Sequence, residues 1–183
     1  RLAAAVPKLK VADAAFNTEE LRRCFRQAAE NGADAVVFPE LCVTGYSCGD
    51  LFFQERLLAA AEAAAVDFAA RTAGSRTVAV IGLPFRRGDV LFNAAAVAAD
   101  GAIRGIVPKC VLPNYREFYE KRHFHSGRGI MDATAYIGGR EVPFGADLIF
   151  DGGAGFRFGV EICEDLWCVL PPSLYLALGG ARA

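Results

Sequence analysis

A chain of 183 residues, 54% hydrophobic and 22% charged, carries enough apolar material for one buried core, so residues 1–183 are expected to form a single globular domain. A formal net charge of -1 with scattered Lys and Arg excludes the basic footprint of a nucleic-acid binder, and the alanine-rich stretch from Leu57 to Ala70 is too short and too charged to span a bilayer. No secretory signal precedes the first apolar run, and the cysteines at 24, 42, 48, 110, 163 and 168 form no Cys-x-x-Cys pair, so a reducing, cytoplasmic setting without a bound metal is expected.

Strand and helix signals then alternate. Leu2 to Val6 is a short apolar run, and Asn17 with Glu20 three residues later predicts a capped helix start, followed by Leu21, Cys24, Phe25, Ala28 and Ala29 on an apolar stripe that Gly32 ends. Ala35-Val36-Val37-Phe38 predicts a second strand, and Asp50 a cap for a long alanine-rich helix reaching about Arg71. Thr77 to Leu83 predicts a third strand. Leu91 to Ala98 and Ile103 to Val107 flank Asp100-Gly101, a hairpin signal that makes two strands antiparallel and the sheet mixed. Pro108 to Arg140 has little periodicity and predicts a long functional loop, after which Gly145 to Phe150 and Phe156 to Ile162 resume the strands. No repeat, linker or low-complexity tract interrupts this α/β pattern.

The chemistry concentrates at three predicted strand ends. Phe156, Phe158 and Val160 lead to Cys163, and Glu164 and Asp165 supply the acidic first turn of a helix whose N-terminal N–H groups would lower the thiol pKa. Cys163 alone reads more simply as a buried, inert thiol. Phe38-Pro39-Glu40 places a carboxylate at one strand terminus and Val107-Pro108-Lys109 an ammonium at another; each alone also fits a solvated surface residue. Strand ends on one edge of an open sheet converge on a crevice, so Glu40, Lys109 and Cys163 are expected to meet as base, oxyanion partner and nucleophile.

Other motifs compete less well. Gly45-Tyr46-Ser47-Cys48-Gly49 matches Gly-x-Ser-x-Gly, but Pro39 to Thr44 separate Ser47 from the strand that a nucleophile elbow requires. His123-x-His125 is half a zinc site without a third ligand at the usual spacing. No Gly-x-Gly-x-x-Gly or phosphate loop is present, so this segment itself is not expected to bind ATP or NAD.

The segments Phe38-Pro39-Glu40, Val107-Pro108-Lys109 and Glu161-Ile162-Cys163-Glu164-Asp165-Leu166-Trp167 resemble the three signatures of the nitrilase, or carbon-nitrogen hydrolase, superfamily. More narrowly, Thr44 to Gln54 and Leu112 to Arg122 resemble the glutaminase domain of glutamine-dependent NAD synthetases. The resemblance implies an α-β-β-α sandwich with mixed sheets and a Glu-Lys-Cys triad of Glu40, Lys109 and Cys163. It further implies Glu120 as the second glutamate orienting Lys109, with neighbouring Glu117 left open. Tyr46, Tyr115, Phe118 and Glu164 fall on the family's glutamine pocket, although the three aromatics also suit core packing.

It implies glutamine as substrate, no cofactor in this domain, and ATP and Mg only in a synthetase domain absent from this chain. Compared with the family pattern the chain stops early, at Ala183, so an incomplete sandwich from a longer protein is expected, and its exposed sheet edges favour a homo-oligomer. Two alternatives stay open: a stand-alone amidase or carbamoylase, and a catalytically silent structural module.

Overall fold

The computed structural model describes residues 1–183. Seven strands build the main sheet: β1 (Leu2–Ala4), β2 (Ala35–Val37), β3 (Val78–Arg87), β4 (Val90–Ala99), β5 (Ala102–Pro108), β6 (Ala133–Ile137) and β7 (Arg140–Phe144). Their spatial order is β1-β2-β3-β4-β5-β7-β6. The first three run parallel, β3, β4 and β5 pair antiparallel, and β7 joins β5 in parallel where Ile106 meets Phe144. The sheet is therefore mixed, and β2 and β5 leave it at the same edge while β4 enters there.

Helices α1 (Ala14–Glu30) and α2 (Glu55–Ala70) cover one face, with Leu21, Phe25 and Phe68 packed among Val36, Ile81, Leu83 and Ile106. The opposite face presents Ala35, Val78, Val80, Ala95 and Val97 to Phe158 and Ile162. Those come from a small second sheet, β8 (Phe150–Asp151) paired antiparallel with β9 (Arg157–Phe158), and the turn after it. Burial on both faces explains why β3 reads as an unbroken apolar run from Val78 to Phe85. Helix α3 (Pro172–Leu178) sets Leu176 over Gly159, where a Cβ would lie 2.6 Å from the leucine. No helix is long and apolar enough to cross a membrane.

Two predicted caps are corrected. Helix α1 begins at Ala14 with Asp13 accepting from the Phe16 N–H at 3.0 Å, so Asn17 lies inside the helix. Its buried amide instead brackets the preceding loop, donating to the Lys10 and Val43 carbonyls and accepting from the Lys10 N–H. Asp50 does not cap α2 either. It belongs to a kinked 3-10 segment, Tyr46–Phe53, and spends its carboxylate on Arg122 at 2.8 Å, which holds its pKa down at about 2.

The Asp100-Gly101 hairpin forms as expected, with both residues at positive φ (45° and 78°). The stretch from Pro108 to Arg140 contains more order than its composition indicates, since β6 and β7 form a hairpin through Gly138-Gly139. The last two predicted strands shrink to β8 and β9. Beyond Phe158 the backbone leaves the ladder, because the Gly159 N–H bonds to the Ala183 carbonyl at 3.0 Å instead of to a neighbouring strand.

Candidate active site

The crevice at the shared exit of β2 and β5 is built by one close approach. After Val37 the chain folds back through Phe38, Pro39 and Glu40 directly over Gly82 of β3, and a Cβ on Gly82 would lie 2.3 Å from the Leu41 nitrogen and 2.8 Å from the Pro39 oxygen. Only glycine permits this contact. The Val43 N–H seals the turn on the Gly82 carbonyl at 3.0 Å, and Leu41 takes a positive φ of 52°.

Lys109 follows β5 immediately and its side chain is wholly enclosed. Its Nζ donates to Glu40 Oε1 at 2.6 Å and to Glu120 Oε1 at 2.7 Å. Burial alone would lower the lysine pKa, but Glu40 and Glu120 outweigh it and the net shift is upward, so the ammonium is the resting form. Glu120 opens a short 3-10 turn, is itself buried, and receives the Tyr46 hydroxyl at 2.8 Å. Burial, then the bond to Glu120, pushes the Tyr46 phenol well up, keeping it a donor. Glu117 points to solvent, so of the two candidates only Glu120 reaches Lys109.

Cys163 arrives differently from expectation. Strand β9 ends at Phe158, and the residues after the cysteine form a five-residue 3-10 turn, Cys163–Trp167, with Cys163 at a positive φ of 49°. Such a turn has no helix macrodipole worth the name, and the thiol pKa is raised, not lowered: desolvation contributes most, Glu40 adds to it, and Lys109 opposes. Burial and the neighbouring Glu40 carboxylate thus favour the neutral thiol. Glu40, Asn93, Ile162 and Cys163 line a cavity of about 230 Å³.

The structure thus brings Glu40, Lys109, Glu120, Tyr46 and Cys163 into one cluster. The other predicted pocket residues sit at its rim, where the Tyr115 hydroxyl lies 3.0 and 3.1 Å from the Glu164 carboxylate oxygens and the Tyr115 ring meets Phe118 edge-on at 5.8 Å. Phe118 and Tyr46 also line a second cavity of about 260 Å³ behind Glu120. Ser47 is exposed on the 3-10 segment, with no strand ahead of it. His123 is buried with Nε2 3.2 Å from Asp50, while His125 faces solvent.

Two residues were missed by the sequence reading. Asn93, the one polar side chain in the apolar run of β4, donates Nδ2 to Glu40 Oε1 at 2.6 Å. Asp165, read only as a first-turn acid, is buried and accepts from the Cys110, Val111 and Ile162 N–H groups at 2.7 to 3.0 Å. It pins the cysteine turn to the backbone just after Lys109. The break in β4's apolar pattern was a usable signal for Asn93; nothing local announces Asp165.

Comparison with known proteins agrees with this fold. The carbon-nitrogen hydrolase family model matches residues 1–183. The glutamine-dependent NAD(+) synthetase of Mycobacterium tuberculosis is 42% identical over 183 residues, 99% of this chain and 27% of that protein. The protein of the same name from Thermotoga maritima is 32% identical over 163 residues, 25% of its length. Among solved structures, glutamine-dependent NAD+ synthetase from Acinetobacter baumannii superposes with a TM-score of 0.80 at 29% identity, over 98% of this chain and 30% of the other. An amidase from Nesterenkonia sp., 20% identical, shares the fold with a TM-score of 0.67 over 90% of this chain and 56% of its own. The chain therefore spans about a quarter of the length of these curated relatives. From its residues, its α/β sandwich and these matches, the chain belongs to the carbon-nitrogen hydrolase family, with the nitrilase-type fold.

Proposed function

We propose that this chain is the glutamine-hydrolysing part of a glutamine-dependent NAD synthetase, working through Glu40, Lys109 and Cys163. One observation carries the reading: Lys109 donates to Glu40 at 2.6 Å, and Glu40 and Cys163 line the same cavity. As Sγ attacks the side-chain carbonyl carbon of glutamine, its proton passes to Glu40. The tetrahedral oxyanion is met by Lys109, whose ammonium has three donors and spends two on Glu40 and Glu120. The C–N bond breaks as Glu40 returns the proton to the departing nitrogen, releasing ammonia and leaving a thioester. Water then adds to the thioester with Glu40 as base, and glutamate leaves as the thiol regains its proton.

In this scheme Glu120 holds Lys109, with Tyr46 bracing Glu120. Tyr115, Phe118 and Glu164 wall the substrate, the Glu164 carboxylate taking its amino group. The ammonia would serve a synthetase domain of the same longer chain, which would amidate deamido-NAD with ATP and Mg; no residue of the present chain is assigned to either. A cytoplasmic setting fits six free thiols. Association of copies along the free edges β1 and β6 belongs to the same proposal and is checked by light scattering.

The test is glutamate and ammonia release by the intact protein, repeated with Cys163→Ala and Glu40→Gln. Loss of both products in both variants is expected. Release that survives Cys163→Ala overturns the thiol mechanism. Turnover of other amides with none of glutamine replaces the glutaminase by an amidase, and no turnover of any amide leaves a silent module.

A further inference from the structure

Asn93 interrupts the apolar β4 and is 1% exposed. Its Nδ2 donates to Glu40 Oε1 at 2.6 Å and more loosely to Glu120 Oε2 at 3.4 Å, while its Oδ1 is enclosed without a partner. A buried acceptor left unpaired is costly, so the other half of the amide must gain more than that loss. The surroundings supply the reason. Two carboxylates share a single ammonium, and turning the amide over would set Oδ1 against both of them. Asn93 is the neutral donor that completes the cluster without changing its charge.

The consequence falls on Glu40. Its Oε1 accepts from both Lys109 Nζ and Asn93 Nδ2, each at 2.6 Å, whereas neither donates to Oε2. Two donors converging on one oxygen fix the carboxylate's rotation and reserve the other oxygen for a third partner. The Asn93 carbonyl also receives the Lys109 N–H at 2.8 Å, so one residue anchors the backbone of the ammonium and the side chain of the base. We infer that Asn93 is a positioning residue for Glu40, dedicating Oε2 to the Cys163 proton; this rests on the triad roles proposed above.

The experiment compares the intact wild-type protein with Asn93→Ala and Asn93→Ser, with Glu40→Gln as reference. It measures kcat and KM for glutamine, and separately the pH dependence of Cys163 alkylation by iodoacetamide, followed on the Cys163 peptide by mass spectrometry. The second readout needs no substrate. Besides Glu40, the groups facing the thiol are Lys109 from the β5 exit, Glu120 and Tyr115 from the loop after it, and Tyr46 from the 3-10 segment. None of them is altered in the Asn93 variants.

For Asn93→Ala, kcat should fall about 100-fold, as for a misplaced catalytic group, with KM little changed. The alkylation midpoint should move to lower pH, in the same direction as in Glu40→Gln, because a mis-set Glu40 no longer holds the thiol proton. Asn93→Ser, which keeps a short hydroxyl donor, should recover part of both effects, and it replaces Asn93→Ala if that variant fails to fold. Wild-type kcat, or a fall in kcat with an unmoved alkylation midpoint, overturns the inference. If the wild type does not hydrolyse glutamine, the glutaminase reading fails while the alkylation result still decides the role of Asn93.

Discussion

The Tyr46 hydroxyl and the Lys109 ammonium donate to the same oxygen, Glu120 Oε1, at 2.8 and 2.7 Å. Tyr46 thus braces the carboxylate that braces the lysine. Tyr46→Phe removes one donor and leaves the ring in place, so the protein should fold and lose about 1 kcal/mol of stability in a denaturant titration. Its kcat for glutamine should fall about tenfold, since Glu120 is left less firmly set while Lys109 and Cys163 are intact. An unchanged kcat would mean that Glu120 is held well enough by Lys109 alone.

The Cys163 thiol is raised by desolvation and by Glu40, and lowered by Lys109. In the wild type its alkylation by iodoacetamide should therefore have a midpoint above the ordinary thiol value of about 8.5. Glu40→Gln removes a negative neighbour and should bring the midpoint down, making the sulfur easier to ionise while abolishing turnover. That opposition between reactivity toward an alkylator and activity toward an amide marks Glu40 as a base. A midpoint that rises in Glu40→Gln would contradict the assignment.

Lys109 has no exposed surface and neutralises two glutamates that are 17% and 4% exposed. Lys109→Met leaves those carboxylates facing each other and should cost about 3–5 kcal/mol, with Lys109→Met/Glu120→Gln recovering part of it. The pH dependence follows from sign. The folded pKa of Lys109 lies above its unfolded value, so its contribution is complete below the unfolded pKa of about 10.4 and drains away as pH rises through the folded value. Wild-type stability should fall in that alkaline window, and the loss should be smaller in the double variant.

Gly82 is not part of the cluster, yet its missing side chain creates it. With a Cβ 2.3 Å from the Leu41 nitrogen, Gly82→Ala forces the Glu40 turn off the sheet, at about 1–3 kcal/mol of strain. Glu40 shifts with the turn, and glutamine turnover should drop by about 100-fold for a displacement near 1 Å. A Gly82→Ala protein with full activity would show that the turn relaxes without moving its carboxylate.

The framework and the placing of Glu40 and Lys109 at one end of the sheet were legible in the sequence because each rests on short-range pattern: apolar runs that stop at Pro39-Glu40 and Pro108-Lys109, and a hairpin that Asp100-Gly101 specifies locally. What the sequence concealed depends on contacts between distant segments. Asn17 and Asp50 have the composition of caps, but each found a stronger partner, Asn17 in the Lys10 and Val43 carbonyls and Asp50 in Arg122. The environment of Cys163 was misread for the same reason. An acidic first turn promised a helix dipole, whereas Asp165 is spent on backbone N–H groups from another loop and the thiol feels mainly burial and Glu40.

Asp165 also settles which parts of the site move together. By gripping the Cys110 and Val111 amides with one oxygen and the Ile162 amide with the other, it joins the Cys163 turn to the chain leaving β5. Cys163 and Lys109 thereby stand on segments of backbone joined through one buried carboxylate. Glu40, on the turn seated on Gly82, is tied to the same frame through Asn93, which accepts the Lys109 N–H and donates to the Glu40 carboxylate. With Asp165 holding the Cys163 turn and Asn93 holding the Glu40 carboxylate, Lys109 sits between two bracings, so in the proposed mechanism a shift of the β5 exit loop would carry thiol, ammonium and carboxylate together.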